Sequence, residues 1–202
     1  MHPYSIKNND RFKVLWFIVP LAVIVAWLLN EFLLPVIPQF EEIRWLLRIP
    51  TSAIALGYIF YKWFEKDLWF RCGNWFGFVK TPNLSGTYHG ILKSSRDNFQ
   101  SKTEIKVNIK QTLRDILFTL STDTSSSKSE MTAIITGGLD GPMLIHSFHN
   151  DQKKISEPDM QYHIGMSSLI FSEKDETLSG TYFTSPERGH HGEIYLEKIK
   201  KK

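Results

Sequence analysis

Cysteine is almost missing: Cys72 is the single thiol in 202 residues, which excludes a disulfide framework and a cysteine-based zinc cluster and fits a soluble part in a reducing compartment. An excess of one charge is also missing where it would matter for nucleic acid. The formal net charge is +3, yet residues 81–202 carry fifteen Lys/Arg against fifteen Asp/Glu, and the nine against six of residues 1–80 supply the whole excess. A neutral stretch without a long basic run does not grip DNA or RNA polymers, whose affinity comes mainly from phosphate neutralisation. No HExxH, GxSxG, P-loop or GxGxxG occurs, so the short signatures of zinc hydrolysis, serine hydrolysis and nucleotide-phosphate chemistry are absent. Tryptophan is absent after position 75, all six lying at or before it, and that asymmetry divides the chain.

The first part, residues 1–80, reads as a membrane anchor. Val14–Leu34 contains fourteen Val, Leu, Ile or Phe residues; at about 1.5 Å per residue such a helix matches a bilayer core of roughly 30 Å. No small-x-small cleavage pattern follows it, so a retained helix is expected rather than a signal peptide. A second, weaker span runs from Ile49 to Phe64, bracketed by Arg48 and Lys62, after a turn at Pro35–Glu42. Ser52, Ala53 and Gly57 give it a small-residue face, suited either to self-association or to packing on the first helix. Lys7, Arg11 and Lys13 precede the pair and Lys62, Lys66, Arg71 and Lys80 follow it, which places both termini in the cytoplasm by the positive-inside rule. Trp63, Phe64, Trp69, Phe70, Trp75, Phe76 and Phe78 then form an aromatic collar for the inner headgroup layer or a cap for the following domain.

From residue 81 the period changes to two. Ile105, Val107 and Ile109 alternate with Lys106, Asn108 and Lys110, the mark of a half-buried strand. Ile116–Leu120 and Met131–Ile135 repeat it, with the Ser/Thr-rich residues 121–129 as a hairpin loop. Gly86–Leu92, Met143–Phe148, Met160–Ile164, Ser168–Phe171, Leu178–Thr184 and Glu193–Ile199 complete nine candidates. So many antiparallel strands close or split into layers to avoid open edges; a small up-and-down barrel of about eight strands is expected over residues 81–202. Leu84-Ser85-Gly86-Thr87-Tyr88 recurs as Leu178-Ser179-Gly180-Thr181-Tyr182. Alternation sets Leu, Gly and Tyr of each copy on one face, and the two strands are expected to meet where the barrel shuts.

Chemistry is sparse. His190 and His191 beside Glu187 and Glu193 read as a hydrated turn, not a metal site, and His146, His149 and His163 as sheet residues. No nucleophile–base constellation assembles, so an enzyme is not expected. A barrel interior can hold one ligand, and its candidate polar contacts are Thr87, Tyr88, Thr181, Tyr182, Arg188, and Lys106 or Lys110 if that face turns inward. Cations beside aromatics suit a planar, doubly anionic molecule. Arg188 has an alternative structural role, packing on the aromatic of Gly86-Thr87-Tyr88 to close the base as in lipocalin-like barrels.

Two membrane helices, an aromatic juncture, then Leu84-Ser85-Gly86-Thr87-Tyr88-His89-Gly90 opening a strand-only domain, and finally Leu178–Tyr182, Arg188 and Gly192-Glu193-Ile194-Tyr195-Leu196, resemble the two-transmembrane β-barrel effectors of bacterial CBASS anti-phage systems. Many of those place tryptophan at the position of Tyr88. The resemblance implies a multi-pass protein of the inner membrane whose barrel binds a cyclic dinucleotide as activating ligand, with no cofactor. It further implies self-association on binding and disruption of the membrane lipids, killing the infected cell. Two other readings of the residues stay open: a membrane-tethered carrier of lipid or another small ligand, and a constitutive membrane scaffold.

Overall fold

The computed structural model describes residues 1–6, 10–33, 52–71, 77, 79–123, 125–138, 140–152 and 163–199. The expected turn at 35–42, the first residues of the second span, Cys72, Trp75, Phe76, Phe78 and the candidate strand residues 160–162 lie outside them. The chain divides into two compact units: residues 9–80, and residues 1–8 together with 81–202.

In the first unit, α1 spans Asp10–Leu28 and continues as a wider π-type turn, Leu29–Leu33. It is apolar almost all round. Val14, Ile18, Ala22 and Ala26, four residues apart, are buried, whereas Phe12, Trp16, Val19, Val23 and Trp27 are exposed; a helix greasy on its exposed side suits lipid better than water. Asp10 starts the helix, where the macrodipole favours an acid, and its Oδ2 accepts the Lys80 N–H at 2.7 Å. Helix α2, Ala53–Trp63, is capped by the Ser52 hydroxyl, which accepts from the Ala55 N–H at 3.3 Å. A Cβ added at Gly57 would sit 3.6 Å from that of Ala22, so the small-residue step lies against α1. The expectation of two bilayer-length helices needs correction. Among the described residues one helix, Asp10–Phe32, is long and apolar enough to cross a membrane; α2 is described over eleven residues and passes into Phe64–Leu68, where Lys62 pairs with Glu65 at 3.1 Å.

The second unit is a closed barrel of eight antiparallel strands: β3 Gly86–Ser94, β4 Thr103–Gln111, β5 Asp115–Ser121, β6 Ser125–Ile135, β7 Met143–Gln152, β8 His163–Ser172, β9 Thr177–Thr184 and β10 His191–Lys198. Neighbours in sequence pair around the ring, and β10 pairs back onto β3, so no edge of the ring is left open. Alternation sets the faces: Ile105, Val107 and Ile109 point in while Lys106, Asn108 and Lys110 are exposed. The nine candidate strands become eight because residues 163 and 164, the described part of one candidate, run on through 168–171 as one strand, β8. Residues 125–129, expected in a loop, already lie in β6 with Ser125, Ser127 and Ser129 buried inside. The two copies of the repeated pentapeptide do not pair; β10 stands between β3 and β9. Gly180 lets two strands close up, since a Cβ there would lie 2.0 Å from the Ser168 carbonyl oxygen.

The β5–β6 seam is incomplete. These strands pair directly only at Thr119–Ser121 with Ser126–Lys128, and a register shift at Ser129/Met131 turns β6 away. Residues before α1 fill the wedge: β1 (His2–Pro3) runs antiparallel to β5, and β2 (Ser5–Ile6) runs parallel to β6. Between them Tyr4 is 3% exposed, and its hydroxyl donates to the Thr112 carbonyl at 3.1 Å. Gln111 Nε2 donates to the Tyr4 hydroxyl and to the Pro82 carbonyl, while its Oε1 accepts the Leu84 N–H. One buried amide thus ties the strap to the segment leading into β3. The barrel is plugged at this end: Tyr88 is fully buried, donating to the Leu84 carbonyl at 2.9 Å, and Lys198 Nζ lies 6.0 Å from its ring centre. The basic residue over the Gly86-Thr87-Tyr88 aromatic is therefore Lys198, not Arg188.

Candidate ligand-binding site

At the other end the lumen opens. Ser94, Ser121, Asn150 and Thr184 close to the ends of outgoing strands, and Thr103, Ser125, His163 and His191 at the starts of returning ones, form the rim. Within it lies a cavity of about 410 Å³, at the smaller end of the range of roughly 300–1,000 Å³ typical of ligand pockets. Leu92, Phe118, Leu120, Phe148 and Ile194 give it apolar lining; hydroxyl, amide and imidazole groups supply the rest of the wall. Serine at alternate positions 125, 127 and 129 puts three hydroxyls inward on β6, where the usual strand would place Val or Ile.

The strand register aligns the polar groups in rows. His146 of β7 faces Ser167 of β8, which faces Tyr182 of β9, which faces Gly192 of β10. A Cβ at Gly192 would lie 2.5 Å from the Tyr182 ring, so the glycine leaves the space that this ring fills. Two inward rows nearer the mouth, past Phe148, Gly165 and Thr184, Ser127, Asn150 and His163 stand side by side across β6, β7 and β8. Ser127 Oγ donates to Asn150 Oδ1 at 2.8 Å.

His146 is 3% exposed, with its ring 4.1 Å from that of Phe118 and its nitrogens 3.0 and 3.1 Å from Ser167 Oγ. Burial, with a smaller push from His2, drives its pKa down to about 3. A serine beside a histidine is the beginning of a nucleophilic site. Here the imidazole is too weak a base to take the Ser167 proton near neutral pH, and among the described residues no carboxylate is bonded to its ring. Burial also raises the Tyr182 phenol, whose hydrogen bond with Ser94 works the other way. His146 and Tyr182 are therefore uncharged at cellular pH.

Charge sits at the rim. Arg96 stands in the short turn Ser95–Asp97 after β3, and Arg188 in the turn between β9 and β10; both line the cavity. The first turn is capped by Ser94 Oγ accepting from Arg96 N–H, and Asp97 accepts from both the backbone and the hydroxyl of Ser101. The second is fixed by Arg188 and Gly189 N–H groups donating to the Ser185 carbonyl at 3.0 Å, with Gly189 at φ 62°, a left-handed conformation that favours glycine. Asn98 and Phe99 also have positive φ, at 55° and 63°. For Phe99 that is a costly backbone choice, of the kind that gathers at binding loops.

Of the residues expected at the site, Tyr182 and Arg188 are brought together in the cavity. Tyr88 points inward but lies in the plugged base, and Thr87, Lys106, Lys110 and Thr181 lie on the outer-facing register of their strands. Sequence reasoning missed Arg96, Ser127, Asn150 and Ser167, and treated His146 as wall material. The signal was present in the alternation of Ser125, Ser127 and Ser129, masked because serine also marks turns. Among the described residues no group of His, Cys, Asp and Glu is placed to hold a metal ion.

No curated protein matches this chain. The family described as "Cap15, cyclic dinucleotide receptor domain" matches residues 79–198, which takes in all eight strands of the ring and the cavity they enclose. This chain is accordingly a member of the Cap15 cyclic dinucleotide receptor family, the sensing module of CBASS effectors.

Proposed function

We propose that the protein is a membrane-tethered receptor that takes a cyclic dinucleotide into the open end of its barrel, signals without catalysis, and acts on the membrane by self-association. The observation that carries this reading is the cavity's division into a neutral polar wall and a rim bearing Arg96 and Arg188. A cyclic dinucleotide has the matching division, with polar base edges and two phosphate anions, and guanidinium forks suit phosphate. The very weak basicity of His146 supports a sensing role over hydrolysis.

The strap supports a two-crossing path. Residues 2–6 and residues 86–198 are parts of one barrel, so the intervening chain starts and ends on the same side of any bilayer. If α1 crosses, the chain crosses an even number of times, and the stretch that includes α2 supplies the return. Arg11, Lys13, Lys62, Lys66 and Arg71 on that side favour the cytoplasm. The contact of Gly57 with Ala22 supports assigning Ser52, Ala53 and Gly57 to packing within the hairpin, leaving the exposed apolar flank of α1 for lipid and for other copies.

Full-length protein in detergent micelles, titrated calorimetrically with cyclic di-AMP, cyclic di-GMP, cyclic GMP–AMP and cyclic UMP–AMP, tests the receptor reading. At least one is expected to bind and, at a hundredfold excess over Kd, to stabilise the fold by about 2.7 kcal/mol. The same ligand is expected to trigger dye release from vesicles carrying the protein. Failure of every compound to bind overturns the reading.

A further inference from the structure

Asn150 is 3% exposed, and its side-chain Oδ1 accepts from Ser127 Oγ at 2.8 Å. That bond uses the acceptor half of the amide, and among the described residues its Nδ2 group, two donors in the wall of the cavity, has no side-chain partner. These donors face the open cavity, where an acceptor on a bound ligand can meet them. Beside Asn150 stand Ser127 on β6 and His163 on β8, with neither Lys nor Arg among the β6–β8 residues that line the cavity. The cations stand across the ring: β6 and β7 carry the neutral wall, while Arg96 follows β3 and Arg188 precedes β10. A ligand with anionic and neutral ends therefore has one favoured orientation.

Resting on the receptor reading above, we propose that Asn150, oriented by Ser127, is the specificity-determining residue for one nucleobase of the cyclic dinucleotide, donating to an acceptor on that base's edge. Ser127 acts as a positioning residue. The phosphates lie toward Arg96 and Arg188. The ligand's two halves are related by a two-fold axis or nearly so, whereas a cavity inside one barrel has no such axis. One base is read at the Asn150 wall and the other lies on the opposite side of the mouth, so the two are not selected equally. Acceptors such as purine N7, guanine O6 or uracil O4 are rewarded beside Asn150, and an exocyclic amine there meets donor against donor.

Calorimetry on the full-length protein with the same four cyclic dinucleotides tests this. Asn150→Ala is expected to weaken the best-bound compound about tenfold, the loss of roughly one good hydrogen bond. The isosteric Asn150→Asp, which turns the donor into an acceptor, is expected to invert the order between compounds that differ in one base. Ser127→Ala, which removes only a hydroxyl, is expected to weaken the same compound a few-fold while narrowing its advantage over the others. Arg188→Ala is expected to lower all four by a common factor. If Asn150→Asp and Ser127→Ala keep the wild-type constants and order, or if Asn150→Ala lowers all four equally, the assignment of Asn150 is overturned while the receptor reading stands. If the wild-type protein binds none of the four, both fall.

Discussion

His146 sits where a ligand-facing wall meets the core, and its proton equilibrium records how dry that place is. Its folded pKa of about 3 lies below the usual value of 6.5, so protons bind the unfolded chain first. The stability this gives is complete above about pH 6.5 and is lost as pH falls toward 3. Between pH 7 and pH 5 this one group should cost about 2 kcal/mol of folding free energy. Denaturant titration of the wild type and of His146→Gln at those two pH values checks it: the variant should lack that part of the slope, and equal slopes would contradict the burial account. The residue scale is also where sequence reading was least complete. Lys198, not Arg188, lies over Tyr88, and nothing in the one-dimensional pattern distinguishes two basic residues ten positions apart when the ring between them closes in space. Tyr182 was legible because the repeated pentapeptide fixed its face.

At the scale of elements, alternation of Ile, Val, Leu and Phe against polar residues was enough to place most of the strands. It failed where a strand faces inward with serine. Ser125, Ser127 and Ser129 obey the period of two, but the burial of Ser127 and Ser129 is stabilised by hydrogen bonds to Asn150 and to the Phe118 N–H and His2, partners that exist only once β5, β6, β7 and the strap are assembled. The strap itself was invisible. Two two-residue strands carry no periodicity, and their reason to be extended is the wedge between β5 and β6, far away in sequence. Tyr4→Ala should therefore cost about 3 kcal/mol, as for other large aromatics removed from a core. Hydrogen exchange should show the protection loss concentrated at residues 115–118 and 131–134, beside the strap. A melt unchanged by the substitution would mean that these residues merely rest on the barrel.

At the scale of the molecule, the strap turns a matter of stability into one of topology. The family match covers residues 79–198, yet the barrel wall also includes residues from before α1, so barrel and helices are threaded through each other in sequence. With Cys72 replaced by Ser, single cysteines at Ser5 or at Glu193, both exposed on the barrel, should be labelled by a membrane-impermeant maleimide from the same face of sealed vesicles. Labelling from opposite faces would break the even-crossing argument. What the amino-acid sequence determined unaided was everything governed by local period and bulk composition. An apolar run fixes a helix of bilayer length because every backbone polar group must be bonded within the segment, and strict alternation fixes strands whose number forces closure. What only the tertiary structure decided was which inward residues stay polar, which basic residues reach the mouth, and which distant segment fills the β5–β6 seam. Those depend on register around a closed ring, where a residue's neighbours are set by strand pairing and not by sequence distance.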